Sequence, residues 1–118
     1  MDFERALQAI ADRYEAAKEI LQTEEATKTS LVLPMIQLLG YNVFDPLEVV
    51  PEFTSDIGTK KGEKVDYAIN YAGQPALIFE CKKSGADLKI NHASQLFRYF
   101  HVTSAKFAVL TNGTVYRF

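Results

Sequence analysis

The sequence is poor in cysteine, in histidine and in long apolar runs, and each shortage excludes a class of protein. The lone Cys81 cannot form an internal disulfide, which indicates a reducing compartment. The two histidines, His92 and His101, have no partner at a spacing suited to zinc. No run of about 18 apolar residues occurs, so no membrane span is predicted. The first residues carry acids and no hydrophobic signal region, which favours a cytoplasmic protein.

Length and composition fit one soluble domain, and the charges are unevenly distributed. The chain has 118 residues, of which 47% are hydrophobic and 24% charged, and its net charge is −2. Residues 1–56 hold four basic and eleven acidic side chains, a net charge of −7, whereas residues 57–118 hold nine basic and four acidic ones, a net charge of +5. A basic half of this kind can face phosphate groups, and it is equally consistent with an ordinary solvated surface.

Apolar periodicity predicts a mixed α/β fold in which helices pack against a sheet. The chain is expected to form a single domain, 1–118, with an N-terminal helix over 1–22 and a core over 23–118. The predicted order is α-α-β-β-β-α-β-β. The elements are helices over 2–22, 23–39 and 91–101 and strands over 47–53, 65–71, 76–81, 106–110 and 115–118. Thr23 is the predicted N-cap of the second helix, and Pro34 either kinks that helix or restarts it.

The central feature is a predicted hairpin that carries two acids and a lysine. With its turn centred near Gly73, Asp66 and Glu80 each lie seven residues from the turn and face each other across the strand pair. Lys82 lies two residues beyond Glu80 and therefore shares its face of the strand. The spacing predicts that all three side chains converge at one end of a sheet.

Two facing carboxylates are the hard oxygen ligands that Mg²⁺ takes, and the backbone carbonyl of Cys81 can add a third oxygen. A lysine beside them can orient or deprotonate an attacking water and offset charge on a pentavalent phosphate. The arrangement therefore predicts a metal-dependent phosphodiesterase. By spacing alone, a structural salt bridge at the rim of the sheet explains the same three residues equally well.

Val65-Asp66 followed by Phe79-Glu80-Cys81-Lys82 resembles the signature of the PD-(D/E)xK nuclease superfamily, with Val65 in place of the usual proline. More of the chain resembles the N-terminal nuclease region of type I restriction enzyme R subunits and their stand-alone or prophage relatives. The matching stretches are 23–34, 39–46, 61–69, 79–82 and 95–100. Each stretch alone is a weak signal, but together and in this order they are specific.

The resemblance implies a restriction-endonuclease-like fold, a mixed β-sheet flanked by helices, and roles for individual residues. Asp66 and Glu80 match the metal-binding acids, Lys82 matches the motif lysine, and Gln95 matches a glutamine that points back at the active site. An acid on the first core helix completes the metal environment in many such enzymes. Glu24 and Glu25 both lie near that place, with Glu25 slightly preferred, and stabilisation of the first helical turn explains either acid equally simply.

The implied function is Mg²⁺-dependent endonucleolytic cleavage of DNA, with Mn²⁺ as a substitute cation. Lys60, Lys61, Lys64 and Lys83 are expected along the path of the DNA backbone. Residues 58–64 lack the ending and the following helix of a phosphate-binding loop, so no nucleotide cofactor is predicted. The implied assembly is a homodimer or a larger restriction complex. The alternative is a non-catalytic module that keeps the nuclease fold and binds DNA or a protein.

Overall fold

Five strands and four helices make up the fold of residues 2–54, 64–89 and 93–118, which the computed structural model describes with the exception of the side chains of Gln95 and Val102. The helices are α1 (Phe3–Ala17), α2 (Glu24–Thr27), α3 (Leu33–Leu38) and α4 (Ser94–Val102), and a π-helical turn (Lys28–Val32) joins α2 to α3. The strands are β1 (Val49–Phe53), β2 (Val65–Tyr71), β3 (Gln74–Cys81), β4 (Phe107–Thr111) and β5 (Tyr116–Arg117). The predicted mixed α/β class is confirmed.

The strands form one mixed sheet in the order β1-β2-β3-β4-β5. All neighbouring pairs are antiparallel except β3 and β4, which are parallel because α4 provides the crossover between them. Two buried clusters cover the faces of this sheet. Ile36 of α3 packs in one cluster with Phe79 and Val109, whereas Leu96 of α4 packs in the other with Ile78.

The first two helical segments begin at side-chain caps, of which the cap at Thr23 was predicted. The N–H of Glu4 donates to Asp2 Oδ1, and the N–H of Ala26 donates to Thr23 Oγ1, both at 3.0 Å. Of the apolar stripe on α1, Ile10 is buried, whereas more than a third of Phe3 and of Leu7 is exposed. The N-terminal end of α1 therefore extends past the core.

Pro34 is accommodated by the π-helical turn that precedes it. Proline lacks an N–H, and its ring displaces the carbonyl four residues earlier, here that of Ser30. The wider π turn absorbs this misfit, and Arg13 Nη1 of α1 donates to the Ser30 carbonyl at 3.3 Å. The backbone therefore stays helical from Glu24 to Leu38, by a local change of helical type.

Several predicted boundaries differ from the structure: α1 ends at Ala17 instead of 22, β3 begins at Gln74 instead of 76, and β4 is shifted by one residue. The first strand begins at Val49 because the N–H of Leu47 donates to Asp45 Oδ1 at 2.9 Å, which holds that part of the chain in a turn. The last strand contains only Tyr116 and Arg117. The predicted start of the third helix, at Asn91, lies outside the described residues.

No helix within the described ranges is long and apolar enough to cross a membrane.

Gly113 lies in the β4–β5 turn, which packs closely against the helical segment Glu24–Leu38, here called the interrupted helix. Its φ is +92°, and a Cβ added there would lie 2.7 Å from Leu31 Cδ1 and 3.0 Å from Thr27 Cγ2. We expect Gly113→Ala to lower the free energy of unfolding by roughly 2–4 kcal/mol, through backbone strain together with overpacking.

Gly85→Ala is the matched control, because Gly85 also has a positive φ, +82°, but an added Cβ would meet nothing within 4 Å. Urea denaturation of both variants separates packing from strain. Equal losses in the two variants would contradict the close approach at Gly113.

Candidate active site

A bulge in the hairpin sets the two predicted acids opposite each other. Tyr71 pairs with Gln74 across a two-residue turn, and continuing that register would set Asp66 opposite Phe79. The register instead shifts near Ile69, where Ala76 is the extra residue of β3, so Tyr67 pairs with Phe79. The next position along places Asp66 opposite Glu80. A proline next to the extra residue fits this local break in the ladder, because Pro75 has no N–H to donate.

Asp66, the second residue of β2, is held by two donors. Its Oδ2 accepts from the backbone N–H of Cys81 at 2.6 Å, and its Oδ1 lies 3.4 Å from Lys28 Nζ. Each carboxylate oxygen has two lone pairs, so both oxygens keep acceptor capacity beyond these contacts. The Cys81 thiol itself is fully buried, and burial raises its pKa, which leaves its side chain a packing role.

Glu80 is a buried carboxylate that contacts an acid and a lysine. Glu80 is 8% exposed, and its Oε2 lies 3.5 Å from Lys82 Nζ. Burial and then the neighbouring Asp66 carboxylate raise the pKa of Glu80 to about 7, although Lys82 opposes this effect. A buried carboxylate beside a second carboxylate is a site at which a cation is electrostatically favoured.

Lys28 is a member of the site that sequence reasoning missed. It is 9% exposed, its Nζ lies 2.6 Å from Glu25 Oε1, and the same atom is 5.7 Å from the centre of the Tyr67 ring. Burial alone lowers the pKa of Lys28, but the hydrogen bond to Glu25 and the charge of Asp66 outweigh burial and raise it overall. Lys28 is therefore an ammonium at neutral pH.

Only part of this arrangement carries a signal in the sequence. Lys28 follows Glu25 by three residues, a spacing that brings side chains together on a helix. No local pattern indicates that Lys28 reaches Asp66, which is 38 residues further along the chain.

Thr27 is a second residue that sequence reasoning missed, and it fixes the chain that follows Lys82. Its side chain is fully buried, and its Oγ1 accepts from the N–H of Ser84 at 2.9 Å while donating to the carbonyl of Thr23 at 3.1 Å. The N–H of Lys82 donates to the carbonyl of Thr111 at 2.8 Å. The backbone on both sides of Lys83 is thus tied to the interrupted helix and to β4.

Of the two candidate acids on the first core helix, Glu25 is the one linked to the pair. Its side chain is 80% exposed and reaches Asp66 through Lys28. Glu24 also lies in the first turn of α2, where an acid is favoured by the helix dipole. Among the residues that the structure describes, no three carboxylate, histidine or cysteine side chains cluster as a metal site.

The structure describes only some of the remaining predicted residues. Gln95 lies on α4, but its side chain is outside the described set. Lys60 and Lys61 also lie outside the described residues. Lys64 Nζ is 3.1 Å from Glu52 Oε1 on β1, and Lys83 is exposed next to Lys82.

The donor set suits a hard divalent cation. Asp66 and Glu80 supply two facing carboxylates with spare lone pairs, and Mg²⁺ is commonly held by one or two carboxylates together with water and substrate oxygens. The backbone oxygen of Cys81 follows Glu80 directly in the chain. The residues therefore fit the cation that the sequence predicts.

A groove among the described residues lies away from this pair. It encloses about 540 Å³ between α4 and strands β4 and β5, and it is lined by apolar side chains together with Lys89, Lys106 and Arg117. Asp66, Glu80 and Lys82 are not among the residues that line it. Asp66 and Glu80 therefore lie at a strand end separate from this groove.

Comparison with known proteins adds one match. A family model described as type I restriction enzyme R protein N terminus (HSDR_N) matches residues 23–118. No curated protein and no solved structure matches the chain significantly. The matched range includes all the residues of the site described above and excludes α1.

Proposed function

This chain belongs to the family of type I restriction enzyme R protein N-terminal domains, and from that premise we propose that it is a Mg²⁺-dependent DNA endonuclease with a restriction-endonuclease-like fold. Family membership connects the chain to restriction and so to a DNA-acting complex. The observation that carries the proposal is the contact between Asp66 and Glu80 beside Lys82. A carboxylate pair next to an ammonium is the donor set that phosphodiester hydrolysis needs.

In the proposed reaction Asp66 and Glu80 would hold the cation, and the carbonyl of Cys81 would contribute a further oxygen. When bound, Mg²⁺ supplies Lewis-acid activation of the phosphate and lowers the pKa of a water molecule. The hydrogen bond from the Cys81 N–H, at 2.6 Å, fixes the orientation of the Asp66 carboxylate before any ligand arrives.

Lys82 is proposed to orient the attacking water and to offset the charge that develops on the pentavalent phosphate. Its Nζ lies 3.5 Å from Glu80 Oε2, so the ammonium is already directed at the carboxylate pair. The hydrogen bond from its backbone N–H to Thr111 fixes the base of this side chain against β4. Gln95 is proposed to contact the same centre from α4.

The net positive charge of residues 57–118 supports DNA as the substrate. Residues 57–118 carry a net charge of +5 and include Lys82 and the exposed Lys83. Lys60, Lys61 and Lys64 are proposed to contact the phosphate backbone as well. Selection of a DNA sequence would then belong to a partner, either in a homodimer or in a larger restriction complex, and no nucleotide cofactor is proposed.

Calorimetric titration with Mg²⁺ and cleavage of plasmid DNA test the proposal together. We expect the wild type to bind Mg²⁺ and to nick or cut DNA only when Mg²⁺ or Mn²⁺ is present. Asp66→Asn keeps the size of the side chain but removes its charge, so it should lose both metal binding and cleavage. Asp87→Asn, which changes an exposed acid in the loop beyond Lys83, is the control and should keep both.

Wild-type protein that binds DNA without binding either metal would favour the non-catalytic module instead. Cleavage that survives Asp66→Asn would also contradict the proposed site.

A further inference from the structure

Lys28 is a buried ammonium that the proposed reaction does not use. It begins the π-helical turn, and 91% of its surface is covered. Its Nζ lies 2.6 Å from Glu25 Oε1 and 3.4 Å from Asp66 Oδ1, so one cation bridges an acid of the helix and an acid of the sheet. Long charged side chains are almost never buried unless they are paired, so this placement calls for an explanation.

We propose that Lys28 is a positioning residue that takes the place of a second metal ion. Its ammonium pairs with Glu25 and with one oxygen of Asp66, so the site binds a single divalent cation between Asp66 and Glu80. This inference rests on the proposed function, because it concerns how many cations the same carboxylates hold.

The positions of the three acids support one metal ion and one ammonium in place of two metal ions. Sites with two metal ions hold them about 3.5–4 Å apart, with a carboxylate able to contact both. Asp66 has the position of such a shared carboxylate, since it contacts Glu80 and is linked through Lys28 to Glu25. The Glu25 side is already occupied by Lys28 Nζ, at hydrogen-bonding distance from one acid and within 3.4 Å of the other.

A second divalent ion in that position would also be repelled by the ammonium. The repulsion is large because Lys28 is shielded from water by the Tyr67 ring and by the helix that carries it. Without the ammonium, Glu25 and Asp66 would form a second pair of carboxylates, and a divalent cation would be attracted to it.

The test is the number of ions bound, which requires neither DNA nor activity. Metal-free protein at pH 8 is titrated with Mn²⁺ by calorimetry, and the bound ions are counted independently by electron paramagnetic resonance. We expect one ion for the wild type, two for Lys28→Met and one for Lys28→Arg, which keeps the charge. The double variant Lys28→Met/Glu25→Gln should return to one, because the second carboxylate pair is removed.

Each outcome bears on the inference. Two ions in the wild type, or one ion in a folded Lys28→Met protein, would overturn it and leave the proposed function standing. A wild type that binds no ion would overturn the proposed function and the inference with it. Far-UV circular dichroism checks folding, and if Lys28→Met does not fold, Lys28→Gln carries the same expectation of two ions.

Discussion

Lys82→Ala is expected to lower the rate of Mg²⁺-dependent DNA cleavage by about 10²–10⁴-fold, the range for loss of a positioned acid–base group or charge donor. Its Nζ is directed at Glu80 Oε2 from 3.5 Å, whereas neither metal-binding acid is altered by the substitution. The variant should therefore keep its metal binding at pH 8 while losing the chemical step. Single-turnover cleavage of a short duplex measures that step directly.

Lys83→Ala is the matched control for Lys82→Ala. Both substitutions remove one lysine from consecutive positions, but Lys83 is exposed and follows β3 on the other side of the chain. We expect Lys83→Ala to raise KM and to weaken the salt dependence of binding, with kcat unchanged. Equal losses of kcat in the two variants would indicate that both lysines act only through general electrostatic attraction.

Glu80→Gln is expected to stabilise the metal-free protein at pH 8 by roughly 3 kcal/mol while abolishing cleavage. The pKa of Glu80 rises from 4.5 to about 7 on folding, because the carboxylate is buried beside Asp66. Since a tenfold change in an ionisation constant corresponds to about 1.4 kcal/mol, keeping this group ionised in the folded state costs about 3 kcal/mol. Glutamine resembles the protonated acid and avoids that cost at every pH.

The sign of the pH dependence follows from the same rise in pKa. Between pH 4.5 and 7 the folded protein keeps a proton that the unfolded chain has lost, so the stability of the metal-free wild type falls as the pH rises through this window. Below pH 4.5 both states are protonated, and the wild type and Glu80→Gln should have similar stability. Above pH 7 the difference between them should reach its full size.

Urea denaturation at pH 4, 6 and 8 in the presence of a chelator measures this dependence. Adding Mg²⁺ at pH 8 should recover stability in the wild type and not in Glu80→Gln, because binding to the folded state alone is stabilising. Glu19→Gln, at an exposed position of the segment after α1, is the control and should follow the wild type. A wild type whose stability rises from pH 4.5 to 7 relative to Glu80→Gln would contradict the raised pKa.

Asp66 faces Glu80 only because a bulge in β3 offsets the position of the turn, and the sequence alone does not reveal this bulge. A turn centred at Gly73 gives that pairing by symmetry, but the actual turn lies between Ala72 and Gly73 and by itself would pair Asp66 with Phe79. The bulge at Ala76 restores the predicted partners. A shift of one residue reverses every side chain of a strand, so the burial of the apolar residues around it determines the register.

In the interrupted helix, the sequence pattern predicts where the segment begins, whereas tertiary packing determines its π turn. Thr23 and Pro34 predicted where this segment begins and where it is disturbed. The π turn that resolves the disturbance depends on α1, whose Arg13 donates to the carbonyl of Ser30. That contact joins residues 17 positions apart, which is beyond the reach of helical periodicity.

By itself, the sequence determined the features that depend on short separations: the alternating strands of the hairpin, the shared face of Glu80 and Lys82, the helical cap at Thr23 and the mixed α/β class. Only the tertiary structure decided two contacts between residues far apart in sequence. Lys28 contacts Asp66, 38 residues further along the chain, and Thr27 accepts a hydrogen bond from Ser84, 57 residues further along. The reason is physical. Backbone periodicity fixes which neighbours share a face, whereas the partner of a buried charge or hydroxyl is set by which elements the apolar core brings together.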